Sequence, residues 1–223
     1  FRKNLRRSLI RVFDVINEDN GKLRWTDSFT RILCPTFTNY LKDLAEYSRY
    51  IFERHYASEI YRDGFIIGQK YQRRDVFRIL RWKENPNPQN VGGYMISREG
   101  GQPNCPIFVT YDKGEDISAT TQYEDKFLSP QKMQWYSKSR RTLNSPDVMY
   151  IKNLNSNQRM SLFVKKDDDE GKSFYFLGDI RADTKSFTQE YMDDGEGNQV
   201  SVVKLVFNLN DPVPDSLYKY LVE

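Results

Sequence analysis

Met160-Ser161-Leu162-Phe163-Val164-Lys165, then Lys166-Asp167-Asp168-Asp169-Glu170-Gly171-Lys172, then Phe174-Tyr175-Phe176-Leu177-Gly178-Asp179-Ile180 is the stretch whose reading decides the fold. Two apolar runs rich in Phe, Val, Leu and Ile flank a short polar segment that holds a glycine. Runs of that length bounded by a turn signal read as strands, so residues 167–172 are predicted to be the polar turn of a β-hairpin. The same texture continues on both sides. Further strands are expected at 93–97, 107–111, 119–127 and 133–136 before the hairpin, and at 187–192 and 200–209 after it. Short strands at this density, separated by Gly and Asn-Asp breaks, predict a barrel or curled sheet. Two short helices interrupt them. One covers 74–82, with Val76, Phe77, Ile79 and Leu80 as its apolar residues. The other opens at Ser145-Pro146-Asp147, which supplies an N-cap, an N1 proline and a first-turn carboxylate, and runs through Asn153.

Before Asp63-Gly64 the pattern is helical. Leu5, Leu9, Ile10, Val12, Phe13 and Ile16 recur at helical spacing over 2–17, and Asn20-Gly21 is read as the stop. Thr26 or Asp27 can cap a second short helix ending before Pro35. A third is expected over 38–57, with Leu41, Leu44, Ala45, Tyr47, Ile51 and Phe52 on its apolar face. The expected fold class is therefore α+β: a helical N-terminal connector over residues 1–62, followed by a curled, β-barrel-like domain over 63–223.

The 223 residues include 34 Lys+Arg and 31 Asp+Glu, a net charge of +3 that hides an asymmetry. Residues 1–82 hold 17 basic and 10 acidic residues, whereas residues 143–223 hold 9 and 14. A basic leading half suits a polyanion, an acidic neighbouring domain or a solvated helical surface. No apolar run approaches the length of a membrane span, and no signal-peptide pattern is present. The first residue, Phe1, suggests a segment of a longer or processed protein. Cys34 and Cys105 form no cysteine framework, so a reducing, cytoplasmic setting is expected. His55, the one histidine, cannot build a zinc site by itself.

Phosphate-binding Walker loops, nucleophile elbows and Cys/His pairs at catalytic spacing are all absent from the sequence. One constellation imitates an enzyme: Asp147 followed by Glu170 and Lys172 has the spacing of a metal-dependent nuclease. Against it, Asp147 reads as a helix start and Glu170 and Lys172 as a hairpin turn. Asp193-Asp194-Gly195-Glu196-Gly197-Asn198 lacks the ligand spacing of a calcium loop and reads as a turn. No cofactor and no metal ligand set is expected.

The nucleic-acid signals are denser. Arg73, Arg74, Arg78, Arg81, Lys113, Lys126, Lys132, Lys138, Arg140, Arg141, Lys165 and Lys166 lie in or beside the β-rich region. Lys138-Ser139-Arg140-Arg141-Thr142 alternates cations with hydroxyls, which offers charge and short donors to successive phosphates. Gln89 and Asn90 precede Val91-Gly92-Gly93-Tyr94. Their amides suit base edges or the gap left by a displaced base, and the double glycine permits close backbone approach; a tight turn into a strand is the competing reading. Alternation places Tyr123 and Asp125 on one face of a strand, and with Trp135, and Ser137 as an added hydrogen-bond partner, they would form a base cage. The competing reading puts Tyr123 and Trp135 in the core, in which case the pocket is sought near Tyr94 and Tyr111.

Tyr71-Gln72-Arg73-Arg74-Asp75, Gln89 to Tyr94, Pro106-Ile107-Phe108-Val109-Thr110-Tyr111, Tyr123-Glu124-Asp125-Lys126-Phe127, Trp135-x-Ser137-x-Ser139, Phe163-Val164-Lys165-Lys166-Asp167 and Phe174 to Asp179 together resemble, in order, the C-terminal DNA-recognition domain of SauUSI-like type IV, modification-dependent restriction enzymes. Those enzymes join it to phospholipase-D-type nuclease and DEAD-like helicase domains. The resemblance covers roughly residues 63–223 and is weaker over 1–62. It implies an SRA/PUA-like barrel that binds duplex DNA carrying 5-methylcytosine, with 5-hydroxymethylcytosine as the alternative, by flipping the modified base. It also implies that helicase and nuclease domains of the same parent chain are the partners, and that this fragment binds and does not cut. A protein-interaction module docking on the helicase is the other non-enzymatic reading.

Overall fold

The computed structural model describes residues 15–19, 22–55, 61–62, 64–80, 82, 86–97, 103–112, 125–193 and 197–223. The chain divides into two units, residues 1–60 and 61–223.

In the first unit, β1 (Ile16–Asp19) and β2 (Lys22–Trp25) pair antiparallel, Ile16 opposite Trp25 and Asp19 opposite Lys22. Of the helix expected over 2–17, residues 2–14 lie outside the described residues, and its end at Ile16 and Asn17 is strand instead. Asn20-Gly21 is as strong a hairpin signal as a helix stop, and helical periodicity upstream cannot tell the two apart. Helix α1 (Asp27–Thr30) follows, capped as expected by Thr26, whose hydroxyl accepts from the Phe29 N–H at 3.2 Å. Helix α2 (Pro35–His55) then spans the expected third helix, but Leu44, Tyr47 and Phe52 of its predicted apolar face are exposed.

The second unit begins with β3 (Tyr61–Arg62) and β4 (Phe65–Ile66), then β5 (Lys70–Gln72), α3 (Arg73–Ile79) and α4 (Pro88–Val91). Strands β6 (Asn104–Thr110), β7 (Lys126–Ser129) and β8 (Lys132–Tyr136), helix α5 (Pro146–Lys152), strands β9 (Arg159–Lys165), β10 (Ser173–Ala182), β11 (Thr188–Asp193) and β12 (Gln199–Leu209), and helix α6 (Asp215–Val222) complete it. The β9–β10 hairpin is present where the opening stretch places it, with Tyr175 opposite Val164. It belongs to an eight-stranded mixed sheet along the path β6-β9-β10-β12-β8-β7, with β11 added to β12 and β5 to β10. Among the described strands, only β6 and β9 run parallel.

Among the described residues the sheet is curled, one of the two expected forms, and does not close into a barrel. One face of β6, β7, β8, β9, β10 and β12 wraps a single core that includes Ile107, Phe127, Trp135, Leu162, Leu177 and Phe207. The two end strands meet through side chains, Tyr111 stacking on Phe127 with centroids 5.7 Å apart. Curling is made possible by partner switching. β12 pairs β11 over 199–204 and β10 over 207–209 along one edge, and β8 along the other. A register shift in β10 falls at Gly178, whose φ of 110° suits a residue without a Cβ.

A second core lies on the other face of β6, β9 and β10. Phe108, Phe163, Phe174 and Phe176 point there and meet Phe65, Val76, Phe77 and Trp82. Alternation therefore sends Ile107 and Val109 to one core and Phe108 to the other. That explains why these strands read as continuous apolar runs: a strand buried on both faces needs apolar residues at every position.

Candidate nucleic-acid interface

The structure joins the two segments that stood out in sequence. Lys138 reaches across from the end of β8, donating to the Val91 carbonyl at 3.0 Å with its ammonium 4.6 Å from the centroid of the Tyr94 ring. Gly92, in the turn beside this bridge, adopts φ 64° and ψ −141°, a conformation that favours glycine. The Gly93 carbonyl accepts from the Phe108 N–H at 2.7 Å, fastening the loop to β6. The amide-bearing residues fold into α4, capped by Asn87 and opened by Pro88, where a simple turn was the competing expectation.

Asp147 is the hub beneath this bridge. Its Oδ2 accepts from the Tyr94 hydroxyl at 2.6 Å and from Arg141 Nε at 2.7 Å. The expected helix α5 places it in the first turn. Ser145 is the N-cap as expected, and its hydroxyl, rather than bonding the helix N–H groups, accepts from the Thr142 N–H at 2.9 Å and tightens the 142–145 turn. Burial acts to raise the Asp147 pKa, but the bonds from Tyr94 and Arg141 outweigh it and hold the carboxyl below the ordinary range. Burial, then the bond to Asp147, pushes the Tyr94 phenol up. Burial, aided by Arg141, pushes the Lys138 ammonium down, and Asp147 pulls it back.

The predicted site residues separate into two groups. Trp135 (3% exposed), Ser137 and Tyr94 face inward. The Ser137 hydroxyl accepts from the Val203 N–H at 2.9 Å, and Asp125 Oδ1 accepts from the Tyr136 N–H at 3.0 Å. Tyr123, a member of the expected cage, and Lys113 lie outside the described residues. Lys165 is buried, its ammonium bonded to Asp168 at 2.6 Å and the Gly171 carbonyl at 3.0 Å, and Lys166 sits over the Tyr220 ring. These contacts occupy both lysines inside the β9–β10 turn region. Arg141 is committed to Asp147. Tyr111 is half-buried on Phe127. By contrast Gln89, Asn90, Lys126, Arg140 and Thr142 are exposed, and Ser139 is half-exposed. Arg140 has a φ of 61°, a left-handed conformation found at no other non-glycine position among the described residues. Such a conformation costs on the order of 1 kcal/mol, and the tethering of Lys138 and Arg141 on either side holds it.

The residues of the nuclease constellation belong to unrelated networks. Asp147 serves Tyr94 and Arg141, whereas Glu170 accepts from Lys70 at 2.9 Å, the Tyr220 hydroxyl at 2.8 Å and the Lys166 N–H at 2.7 Å. Among the described residues no three His, Cys, Asp or Glu side chains converge as a metal ligand set. No described helix is long and apolar enough to cross a membrane.

A family model described as a domain of unknown function, DUF3427, matches residues 65–221. The chain belongs to this family. No curated protein matches it in sequence. Among solved structures, the DUF3427 chain is similar to the DNA modification-dependent restriction endonuclease AspBHI, at 14% identity and a TM-score of 0.36 over 56% of this chain and 69% of that one. It is also similar to the sulfur binding domain and SRA domain of ScoMcrA complexed with phosphorothioated DNA, at 8% identity and a TM-score of 0.36. That match covers 70% of this chain and 44% of the other, so the chain spans less than half the length of that relative.

The Asp147 hub makes a pH-dependent prediction for the DUF3427 domain. A carboxyl with a depressed folded-state pKa contributes stability that is fully present above its unfolded value and is lost as pH falls through the folded value. Glu170 is depressed too, because bonds from Lys70, the Lys166 N–H and Tyr220 outweigh its burial, so it acts with the same sign. The melting temperature is expected to fall as pH drops below about 5. Asp147→Asn is expected to lose about 1–2 kcal/mol at pH 7, discounted for the partial exposure of Arg141, and to flatten part of the acid dependence while the Glu170 part persists. Melting curves of both proteins from pH 7 to 3 check this, and parallel curves would remove Asp147 from the acid response.

Proposed function

We propose that this DUF3427 domain is the DNA-binding specificity module of a larger type IV restriction enzyme, recognising 5-methylcytosine in duplex DNA, with 5-hydroxymethylcytosine as the alternative, by flipping the base. Its partners are then the modified duplex and the helicase and nuclease domains of the same parent chain. The observation that carries this reading is the Lys138 bridge. It draws the 89–94 and 138–142 segments, each singled out for chemistry suited to DNA, into one network that leaves Gln89, Asn90, Arg140 and Thr142 exposed.

The inward groups play a supporting part in this reading. Tyr94, Trp135 and Ser137 set the loops, Asp125 fixes the strand beside them, and the exposed amides and hydroxyls meet the duplex. Flipping a paired base costs a few kcal/mol, and an aromatic stack returns about 1–3 kcal/mol. Burying one methyl adds only about 0.8 kcal/mol, or about fourfold in affinity. A preference well beyond fourfold requires a pocket that penalises the space left empty by unmodified cytosine.

Matched methylated and unmethylated duplexes, titrated at two salt concentrations, test the reading. Both are expected to bind at low salt with affinity falling as salt rises, and the methylated duplex is expected to bind at least about fourfold more tightly. Equal affinities at both salts would sink the modification reading. No binding at low salt would sink DNA binding altogether and favour a protein-docking module.

A further inference from the structure

A second basic feature lies on the far side of α4. A cavity of about 300 Å³ is lined by Gln72, Arg73, Arg74, Asn87, Gln89 and Lys172. Among the described residues, three cations and three amides line it. The β5–β10 ladder ends at Gln72 opposite Ser173, and Arg73, which opens α3, and Lys172, which precedes β10, both follow that end and line the same cavity. Like charges gathered close together repel. An arrangement that gathers Arg73, Lys172 and Arg74 around an open space is relieved by an anion.

Arg73 is held ready for one. Its guanidinium lies over two rings of the second core, 5.1 Å from the centroid of Phe108 and 4.7 Å from that of Phe174. Its Nε is buried without a hydrogen-bond partner. Aromatic faces position the guanidinium without consuming its donors. Burial pushes the Arg73 pKa down, and Asp168 pulls it back up. Asp168 gives one oxygen to Lys165 at 2.6 Å, so this acid is already engaged with another cation.

We propose that this cavity is a phosphodiester site that seats a backbone phosphate of the bound duplex, with Arg73 as the fixed donor and Arg74 and Lys172 as the mobile charges. The proposal rests on the DNA reading above. It adds a phosphate anchor beside α4, whose Gln89 lines the cavity and whose Val91 carbonyl receives Lys138. A phosphate held there fixes the register of the duplex against the 89–94 loop without carrying sequence information itself.

The experiment uses the exposed cations, since Arg73 also packs in the core. Arg74→Ala/Lys172→Ala and Arg74→Gln/Lys172→Gln are compared with the wild type and with Lys185→Ala/Lys219→Ala, which removes the same charge elsewhere. Affinity for methylated and unmethylated duplexes is measured across a salt series, with thermal melting to confirm folding. The cavity variants are expected to melt normally, to weaken both duplexes by roughly tenfold to a hundredfold at low salt, and to lower the salt slope by about two. The control pair is expected to leave the slope nearly unchanged. A wild-type protein that binds DNA while the cavity variants keep its slope, or while the control loses as much, overturns the phosphate site and leaves the DNA reading standing. A wild-type protein that binds no DNA overturns both. Inorganic phosphate and a mononucleotide, titrated separately, distinguish the source. Tight binding of either, without any effect of the cavity variants on duplex affinity, would make this a small-anion site and overturn the proposal.

Discussion

Trp135→Ala is expected to lower the stability of the second unit by about 3–5 kcal/mol and its melting temperature by about 6–20 °C. The indole is 3% exposed, edge-on to Tyr94 with centroids 5.2 Å apart and tilted against Phe207 at 5.2 Å. The facing strands β8 and β12 hold it from both sides of the pairing, Trp135 opposite Leu205. The cavity left behind cannot collapse without moving the sheet. Tyr94 would lose the wall that orients its ring, and that ring lies beneath Lys138 while its hydroxyl meets Asp147. Under the proposed function, loss of DNA affinity is therefore expected in parallel with loss of stability. Melting curves and duplex titrations on the same preparation decide the matter. A variant that melts normally but no longer prefers methylated DNA would return Trp135 to the role of base contact.

Why the sequence leaves both cage and core open at Trp135, where the structure buries the ring, is a question of which face of a strand is wet. Trp135 of β8 and Ser137 just past its end are both buried, as period-two alternation allows. Alternation carries no information on whether a given side meets water or the opposite wall of a curled sheet. That choice is made by β12, some seventy residues later, whose Val203 N–H meets the Ser137 hydroxyl and whose carbonyl receives the Ser137 N–H. Lys165 is a similar case. Its charge suggests phosphate, but its place at the end of β9 turns it onto Asp168 and the Gly171 carbonyl, contacts set by the turn that follows.

Local signals read well wherever the physics is local. The β9–β10 hairpin, the Pro146 start of α5 and the Thr26 cap each depend on a few neighbouring residues. The double glycine at 92–93 forms a turn leading to Tyr94, the competing reading, with Gly92 in a conformation that favours glycine. β5 is three residues long and exists only because β10 offers it an edge, so nothing in Lys70-Tyr71-Gln72 announces it. Arg73 and Arg74 are conspicuous as charges, but Lys172 joins them only through that pairing. For this reason the cavity is invisible in the sequence while the 138–142 segment is not.

Phe163→Ala is expected to match Trp135→Ala in cost, about 3–5 kcal/mol, although it lies in the other core. Phe163 is fully buried, with its centroid 5.3 Å from Phe65, 5.2 Å from Phe108 and 5.2 Å from Phe176. Its neighbours in β9, Leu162 and Val164, point into the core that holds Trp135. One strand thus carries both cores, and neither can lose its order without breaking the β6-β9-β10 ladders that the other needs. Both variants are expected to lower one and the same cooperative transition rather than to remove separate phases. Calorimetry on the two single variants and the double checks this. Two resolved transitions in Phe163→Ala would mean that the cores melt independently. A single lowered transition would mean that the rings under Arg73 and the wall behind Tyr94 are parts of one cooperative unit, so that a phosphate seated at the cavity and a base read at the loop would be coupled through the same three strands.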